Sequence, residues 1–159
     1  MTKRQNYAGL LRDLRSVIGD VEESAAGVLA NAAALIYERT GALWAGFYMV
    51  DDGMLKLGPF QGPVACYRIA FGRGVCGAAW QRAATVVVPD VEAFAGHIAC
   101  SSLSQSEIVV PIFGAAGDVV GVLDVDSRRI AAFDVTDRYY LEQACEIIAA
   151  ALRRSPYRA

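Results

Sequence analysis

The chain has 159 residues, which fits one domain, 1–159, that buries most of the surface its unfolded form exposes. Its net charge of −2 and its pI near 5.4 provide no basic stripe, so neither nucleic acid nor an anionic membrane is expected as a partner. The mean hydropathy is +0.32, but the longest charge-free stretches, 24–37 and 93–106, are too short and too polar to span a bilayer.

The first residues, MTKRQNYAG, lack the apolar segment of a secretory signal, so a reducing cytoplasm is the expected location. Disulfides in that compartment are usually transient and either catalytic or redox-sensing. Four cysteines in a chain of this length are also far fewer than in a secreted disulfide scaffold. Cysteines in loops are therefore candidates for chemistry.

Apolar residues at helical spacing predict two helices within residues 5–40. Asp20, followed three residues later by Glu23, predicts a capping box before the second helix. Gly41 predicts the end of that helix.

Aromatic and apolar runs bounded by turn residues predict strands in the middle of the chain, at 44–50, 54–58, 85–88, 108–113 and 119–126. The second of these strands is expected to end at Gly58-Pro59. Residues 60–77 are rich in glycine and are predicted to be mostly loop.

Apolar spacing predicts a terminal helix over 134–153 that begins at Asp134 or Thr136. Helices at both ends enclosing antiparallel strands indicate the α+β class, with a central antiparallel sheet flanked by N- and C-terminal helices. The sheet and its loops, 43–127, are expected to carry the functional site, because long loops on a rigid sheet commonly do so.

Three of the four cysteines lie in glycine-punctuated segments: Cys66, Cys76 and Cys100. Cys145 instead occupies the apolar face of the terminal helix and is expected to be structural. Cys76 lies just before a possible helix and near Arg73, an arrangement expected to favour its thiolate. The loop cysteines therefore suggest a redox group.

Zinc is the alternative interpretation of the same residues, because His97 and the three loop cysteines would form a Cys3His set. Structural zinc ligands usually come in close pairs, and the gaps between these cysteines are much longer, which disfavours a metal. His97 by itself is more typical of a hydrogen-bonded structural histidine than of a base. Spacing alone does not decide between the redox group and the zinc site.

Carboxylates and aromatic residues form two further patterns. Asp124 and Asp126 alternate along one strand and share a face, and Glu107 opens the strand expected to pair with it. If the three converge, their like charges raise one another's pKa, and one can remain protonated as an acid. The alternative is that Asp126 begins a turn and Glu107 is a solvated strand end. Trp44 and Tyr48 share a strand face, as in a core or a ligand-binding wall.

Several segments together resemble the free methionine-R-sulfoxide reductases, which are single-domain enzymes of the GAF fold. These segments are WAGFY (44–48), LGPFQG (57–62), AC-x-RI (65–69), GRGVCG (72–77), GHIAC (96–100), SEIVVP (106–111) and GVLDVDS (121–127). The family commonly has an aspartate directly after the GHIAC cysteine, where this chain has Ser101. Losing that charge should ease thiolate formation at Cys100.

The resemblance implies a thiol mechanism. Cys100 would attack the sulfoxide sulfur of free methionine-(R)-sulfoxide while a protonated carboxyl group donates to the oxygen, leaving a Cys100 sulfenic acid. Cys66 is the resolving partner that the family implies, and Cys76 can serve as a second one. The acid would be one member of the carboxyl cluster, made of Glu107, Asp124 and Asp126.

The resemblance also implies partners. Ionised carboxylates of that cluster would bind the substrate ammonium, Trp44 and Tyr48 would contact the methyl end, and backbone N–H groups of GRGVCG or GHIAC would bind the carboxylate. Thioredoxin would reduce the disulfide, and no metal or organic cofactor is expected. The resemblance further implies a homodimer through the terminal helices and a role in oxidative stress. The alternative is a GAF module that senses a small ligand or redox state without turnover.

Overall fold

A computed structural model of the protein describes residues 1–98 and 100–156. Within these ranges the helices are α1 (Lys3–Ile18), α2 (Ala25–Thr40), α3 (Gly74–Arg82) and α4 (Val135–Arg154), with a single 3₁₀ turn at Val91–Ala93. The strands are β1 (Trp44–Asp51), β2 (Met54–Gln61), β3 (Arg68–Ala70), β4 (Val86–Val88), β5 (Ser106–Phe113) and β6 (Val119–Ser127). They form one antiparallel sheet in the order β3-β2-β1-β6-β5-β4.

Each face of the sheet has its own apolar core, because side chains alternate between the faces along a strand. Phe47, Leu123 and Val125 point to one face, where they pack with buried residues of α1, α2 and α4. Tyr48 and Val109 point to the other face, towards α3 and its neighbouring loops. Three helices therefore stabilise one side of the sheet, and the other side is left for the functional site.

The start of α2 differs from the prediction. Its N-cap is Ser24, whose Oγ accepts the N–H of Gly27 at 3.2 Å, so the capping box predicted at Asp20 and Glu23 is wrong. The guanidinium of Arg154 donates to the carbonyl of Ile18 at 3.1 Å and holds the end of α1 in place. The segment after α1 is therefore a linker, and α2 begins where a serine side chain satisfies its first N–H groups.

Gly41 and Asp134 bound their helices as predicted, whereas α1 begins at Lys3 rather than at residue 5. Gly41 ends α2 in the left-handed conformation, with φ of 62°. Asp134 caps α4 by accepting the N–H groups of Thr136 and Asp137. Among residues 1–98 and 100–156, none of the helices combines the length and apolar composition needed to cross a bilayer.

The end of β2 also differs from the prediction, because the strand continues through Pro59 to Gln61. The register between β1 and β2 shifts between Gly46 and Tyr48, which pair with Phe60 and Leu57. Proline has no N–H for the sheet ladder and is tolerated at such an irregularity. The extension brings Phe60 beside the aromatic residues of β1.

Candidate active site

The structure brings three carboxyl groups together on the α3 side of the sheet. Asp124 and Asp126 are two residues apart on β6, and Glu107 of β5 pairs directly with Asp126. Glu107 and Asp124 are each 6% exposed, so Glu107 is not a solvated strand end. The hydroxyl of Ser104 donates to Asp126 at 3.2 Å. The alternation predicted from the sequence therefore produces an acidic cluster in which Glu107 and Asp124 are buried and Asp126 is partly exposed.

Burial decides the protonation of this cluster. It raises the pKa of Glu107 from 4.5 to about 8, and the charge of Asp126 adds to the effect. Burial likewise raises the pKa of Asp124 and of Asp126, and in each case a neighbouring carboxylate adds to the effect. Because like charges at short range oppose full ionisation of the three groups, the cluster retains protons at neutral pH. Glu107 is therefore suited to act as an acid at neutral pH.

One oxygen of the cluster has no donor. Oδ1 of Asp124 is buried and receives no hydrogen bond from any protein donor within the described ranges. Sγ of Cys76 and one carboxylate oxygen each of Glu107 and Asp124 lie within 4.8 Å of one another. A buried, unpartnered acceptor in such surroundings suits a positively charged group, either an ammonium or a metal ion.

Cys66 and Cys100 form a disulfide, with their Cα atoms 5.7 Å apart. Both residues are partly exposed. The Oη of Tyr48 donates to the carbonyl of Cys66 at 2.9 Å and ties the Cys66 segment to β1. Because the two sulfurs are bonded to each other, the Cys3His zinc set considered above is not formed in this state.

Cys76 differs from its prediction in position and in electrostatics. It is the third residue of α3 rather than a loop residue before a helix, and its side chain is buried. Burial raises its pKa, and the charges of Asp124 and Glu107 raise it further. Arg73 is exposed at the N-cap. Cys76 therefore faces the carboxyl cluster and remains a thiol, so the expected thiolate is wrong.

Cys145, predicted to be structural, is buried and reduced on the opposite side of the sheet. Burial raises its pKa. It packs with α1 and α2 residues in the larger core and does not line the cavity beside the carboxyl cluster.

The aromatic residues form a wall beside the carboxyl cluster. Trp44 stacks on Tyr48 with ring centres 5.9 Å apart and on Phe60 at 5.2 Å. The indole Nε1 of Trp44 donates to the carbonyl of Pro63 at 3.1 Å. Gly46 lies between Trp44 and Tyr48 on β1 and has no side chain, and a Cβ there would overlap the Cβ of Phe60. The wall therefore depends on a glycine and on Phe60, neither of which the sequence patterns singled out.

A cavity joins these elements. Its lining includes Trp44, Tyr48, Cys76, Cys100, Glu107, Asp124 and Asp126, together with Gly74 and Val75 at the start of α3. His97 also lines it, with Nε2 3.7 Å from Oε1 of Glu107. The sequence suggested a structural role for His97, and its contact with the acid was missed because it depends on the tertiary fold.

An antiparallel sheet with this strand order, carrying a small-molecule cavity on one face, defines a GAF domain. The model of the GAF domain family matches residues 22–153. The free methionine-R-sulfoxide reductase of Escherichia coli is 43% identical over 159 residues, covering 99% of this chain and 95% of its own length.

Two solved structures are also similar. The free methionine-R-sulfoxide reductase of Neisseria meningitidis in complex with its substrate is 49% identical and has a TM-score of 0.94. The match covers 98% of this chain and 93% of that chain. A putative GAF sensor protein from Burkholderia vietnamiensis is 45% identical and has a TM-score of 0.91. That match covers 96% of this chain and 99% of the other. The chain belongs to the free methionine-R-sulfoxide reductases within the GAF-domain family. The family and the α+β fold predicted from the sequence are thus confirmed.

Proposed function

We propose that the protein is an oxidoreductase that reduces free L-methionine-(R)-S-oxide to L-methionine. The observation that carries the proposal is the carboxyl cluster, with the buried Glu107, whose pKa is raised, and an unpartnered Asp124 oxygen, in the same cavity as Cys100. A proton donor, a cation acceptor and a thiol are the groups that this reaction needs on a free amino acid. The activity named for the relatives from E. coli and N. meningitidis supports the same assignment.

The first step uses Cys100 and the acid. In the reduced protein the Cys100 thiolate attacks the sulfoxide sulfur, and the carboxyl O–H of Glu107 gives its proton to the sulfoxide oxygen. The sulfur–oxygen bond breaks as the oxygen moves to Cys100. The products are methionine, a Cys100 sulfenic acid and an ionised Glu107.

The second step uses Cys66. Its thiol condenses with the Cys100 sulfenic acid, so that a disulfide forms and water leaves. The Cα separation of 5.7 Å and the bond between these two residues support Cys66 as the resolving thiol. Cys76 is buried with a raised pKa, so it is the weaker nucleophile and serves as a second partner.

The cavity also accounts for a free amino acid as substrate. Asp124 and Asp126 bind the ammonium group, which methionine within a peptide lacks. Trp44 and Tyr48 contact the methyl end. The first residues of α3 line the cavity, and their N–H groups receive no side-chain cap from Arg73, so they are available to the substrate carboxylate.

The surroundings of the disulfide support thioredoxin as the reductant. Val64 and Tyr67 flank Cys66, and Ile98 and Leu103 flank Cys100, with exposures of 87%, 81%, 38% and 50%. Exposed apolar side chains around a partly exposed disulfide suit docking of a dithiol protein. Repeated reduction of the disulfide agrees with a cytoplasmic location and a role in oxidative stress.

We also propose a homodimer through the terminal helices. Val135 and Tyr139 of α4 are exposed by 82% and 62%, which leaves apolar surface on that helix. Light scattering of the purified protein is expected to give twice the chain mass. A monomeric mass across micromolar concentrations would contradict the dimer.

The substrate experiment tests the function. Wild type, Cys100→Ser and the matched control Cys145→Ser receive the free R sulfoxide, the free S sulfoxide or a peptide-bound sulfoxide, with a dithiol reductant. We expect methionine from the free R form alone, with wild type and Cys145→Ser but not with Cys100→Ser. Turnover by Cys100→Ser would refute the nucleophile, and binding without turnover by wild type would indicate a sensing GAF module.

A further inference from the structure

His97 is the single histidine of the chain and lies at the edge of the cavity. Its backbone N–H donates to the carbonyl of Phe94 at 3.2 Å, which fixes the turn after the 3₁₀ helix. Its Nε2 is 3.7 Å from Oε1 of Glu107. The His97 side chain is 15% exposed and that of Glu107 is 7% exposed, so the imidazole is near the acid and also reaches solvent.

The proposed reaction requires that Glu107 be protonated again after each turnover. Each cycle removes one proton from Glu107, and the matching proton reaches solvent when the Cys100 thiol ionises. Glu107 must therefore recover a proton from water before it can act again. Its other polar neighbours are Asp124, which is buried, and Asp126, which is partly exposed. The pKa of each of these carboxyl groups is raised, whereas that of His97 is lowered, so the imidazolium is the better proton donor to Glu107.

We infer that His97 relays protons from solvent to Glu107 between turnovers. The imidazolium gives the proton on Nε2 to the Glu107 carboxylate, and the neutral ring then takes another proton from water. The present 3.7 Å separation is closed by a bridging water or by a small side-chain movement. His97 would thus be a positioning and proton-supply residue that acts through Glu107, and this role rests on the proposed function.

The electrostatics favour transfer in the inward direction. Burial lowers the pKa of His97, whereas burial raises the pKa of Glu107 to about 8. A proton on the imidazole therefore moves downhill to the carboxylate. Glu92 of the 3₁₀ turn is exposed, and its charge partly offsets the lowering of the His97 pKa, so it helps the ring to capture a proton on the solvent side.

The test is a single-turnover experiment at pH 8, near the raised pKa of Glu107, where protonated and ionised forms of the acid coexist. Reduced wild type and His97→Gln are mixed rapidly with free methionine-R-sulfoxide, and methionine is measured after quenching. We expect wild type to form methionine in one kinetic phase. For His97→Gln we expect a fast phase of reduced amplitude, from molecules that start with a protonated Glu107, and a second phase at least about tenfold slower.

Imidazole in the buffer is expected to accelerate that second phase, which a merely structural role for His97 would not explain. The control Glu22→Gln, at an exposed position outside the cavity lining, keeps the imidazole and is expected to remain in one phase. A single phase for His97→Gln, or a slow phase that does not respond to imidazole, would overturn the relay. Absence of methionine with wild type would instead reject the proposed function and the relay with it.

Discussion

Replacing Glu107 by glutamine is expected to stabilise the protein, and to do so more at high pH than at low pH. The folded protein raises the pKa of Glu107 from 4.5 to about 8, so it retains a proton that the unfolded chain releases. The stabilisation from this group is fully present below pH 4.5 and is lost as the pH rises through 8. Glutamine remains neutral throughout and avoids that loss.

The magnitude follows from the shift. The difference between 8 and 4.5 is about 3.5 pKa units, and each unit corresponds to about 1.36 kcal/mol. The free energy of unfolding of wild type is therefore expected to be about 3 kcal/mol lower at pH 7, and about 5 kcal/mol lower above pH 8, than at acidic pH. Removing the charge of Glu107 also lowers the cost of ionising Asp124, which acts in the same direction.

Urea unfolding followed by tryptophan fluorescence at pH 5, 7 and 9, with a dithiol present, measures this effect. Glu107→Gln should match wild type near pH 5 and exceed it at pH 9, and the matched control Glu22→Gln, at an exposed position, should follow wild type. The same Glu107→Gln protein should form methionine about 10²–10⁴-fold more slowly because it lacks the acid. Equal stability of wild type at pH 5 and pH 9, with no gain in Glu107→Gln, would refute the buried, protonated acid.

Substitutions at and beside the disulfide separate its formation from the chemistry that precedes it. Cys66→Ser is expected to form methionine normally in a first turnover but to cycle at least about tenfold more slowly with thioredoxin, whereas Cys76→Ser cycles normally. Unchanged cycling by Cys66→Ser would assign resolution to Cys76. Tyr48→Phe loses the hydrogen bond to the Cys66 carbonyl, so it should unfold about 1 kcal/mol more easily and lose its thiols more slowly after oxidation. If Tyr48→Phe lost its free thiols at the same rate as wild type, the hydrogen bond to the Cys66 carbonyl would not be what holds this segment in place.

Local rules predicted the parts of the site that depend on strand geometry. Two-residue alternation places Asp124 and Asp126 on one face, and the hairpin with β5 adds Glu107 opposite Asp126. The pairing of Cys66 with Cys100 came from the family resemblance, because spacing alone left the loop cysteines open to another interpretation.

The parts that were missed depend on contacts between distant segments. Cys76 was expected to be a thiolate near Arg73, but α3 packs against the sheet and turns its thiol towards the carboxyl cluster. The contact of His97 with Glu107 joins a turn to a strand, and no periodic pattern reports such a contact. The shift in register that lets β2 pass through Pro59 is likewise set by the pairing of two strands.

The central claim is that Cys100 accepts the oxygen and Cys66 resolves the product. Fully reduced protein mixed with excess free methionine-R-sulfoxide, without a reductant, stops after one cycle and allows a direct count. The expected result is one methionine per chain and a new disulfide that peptide mass spectrometry assigns to Cys66 and Cys100. Methionine formed without that disulfide, or a disulfide that joins Cys76 to Cys100 instead, would contradict the account.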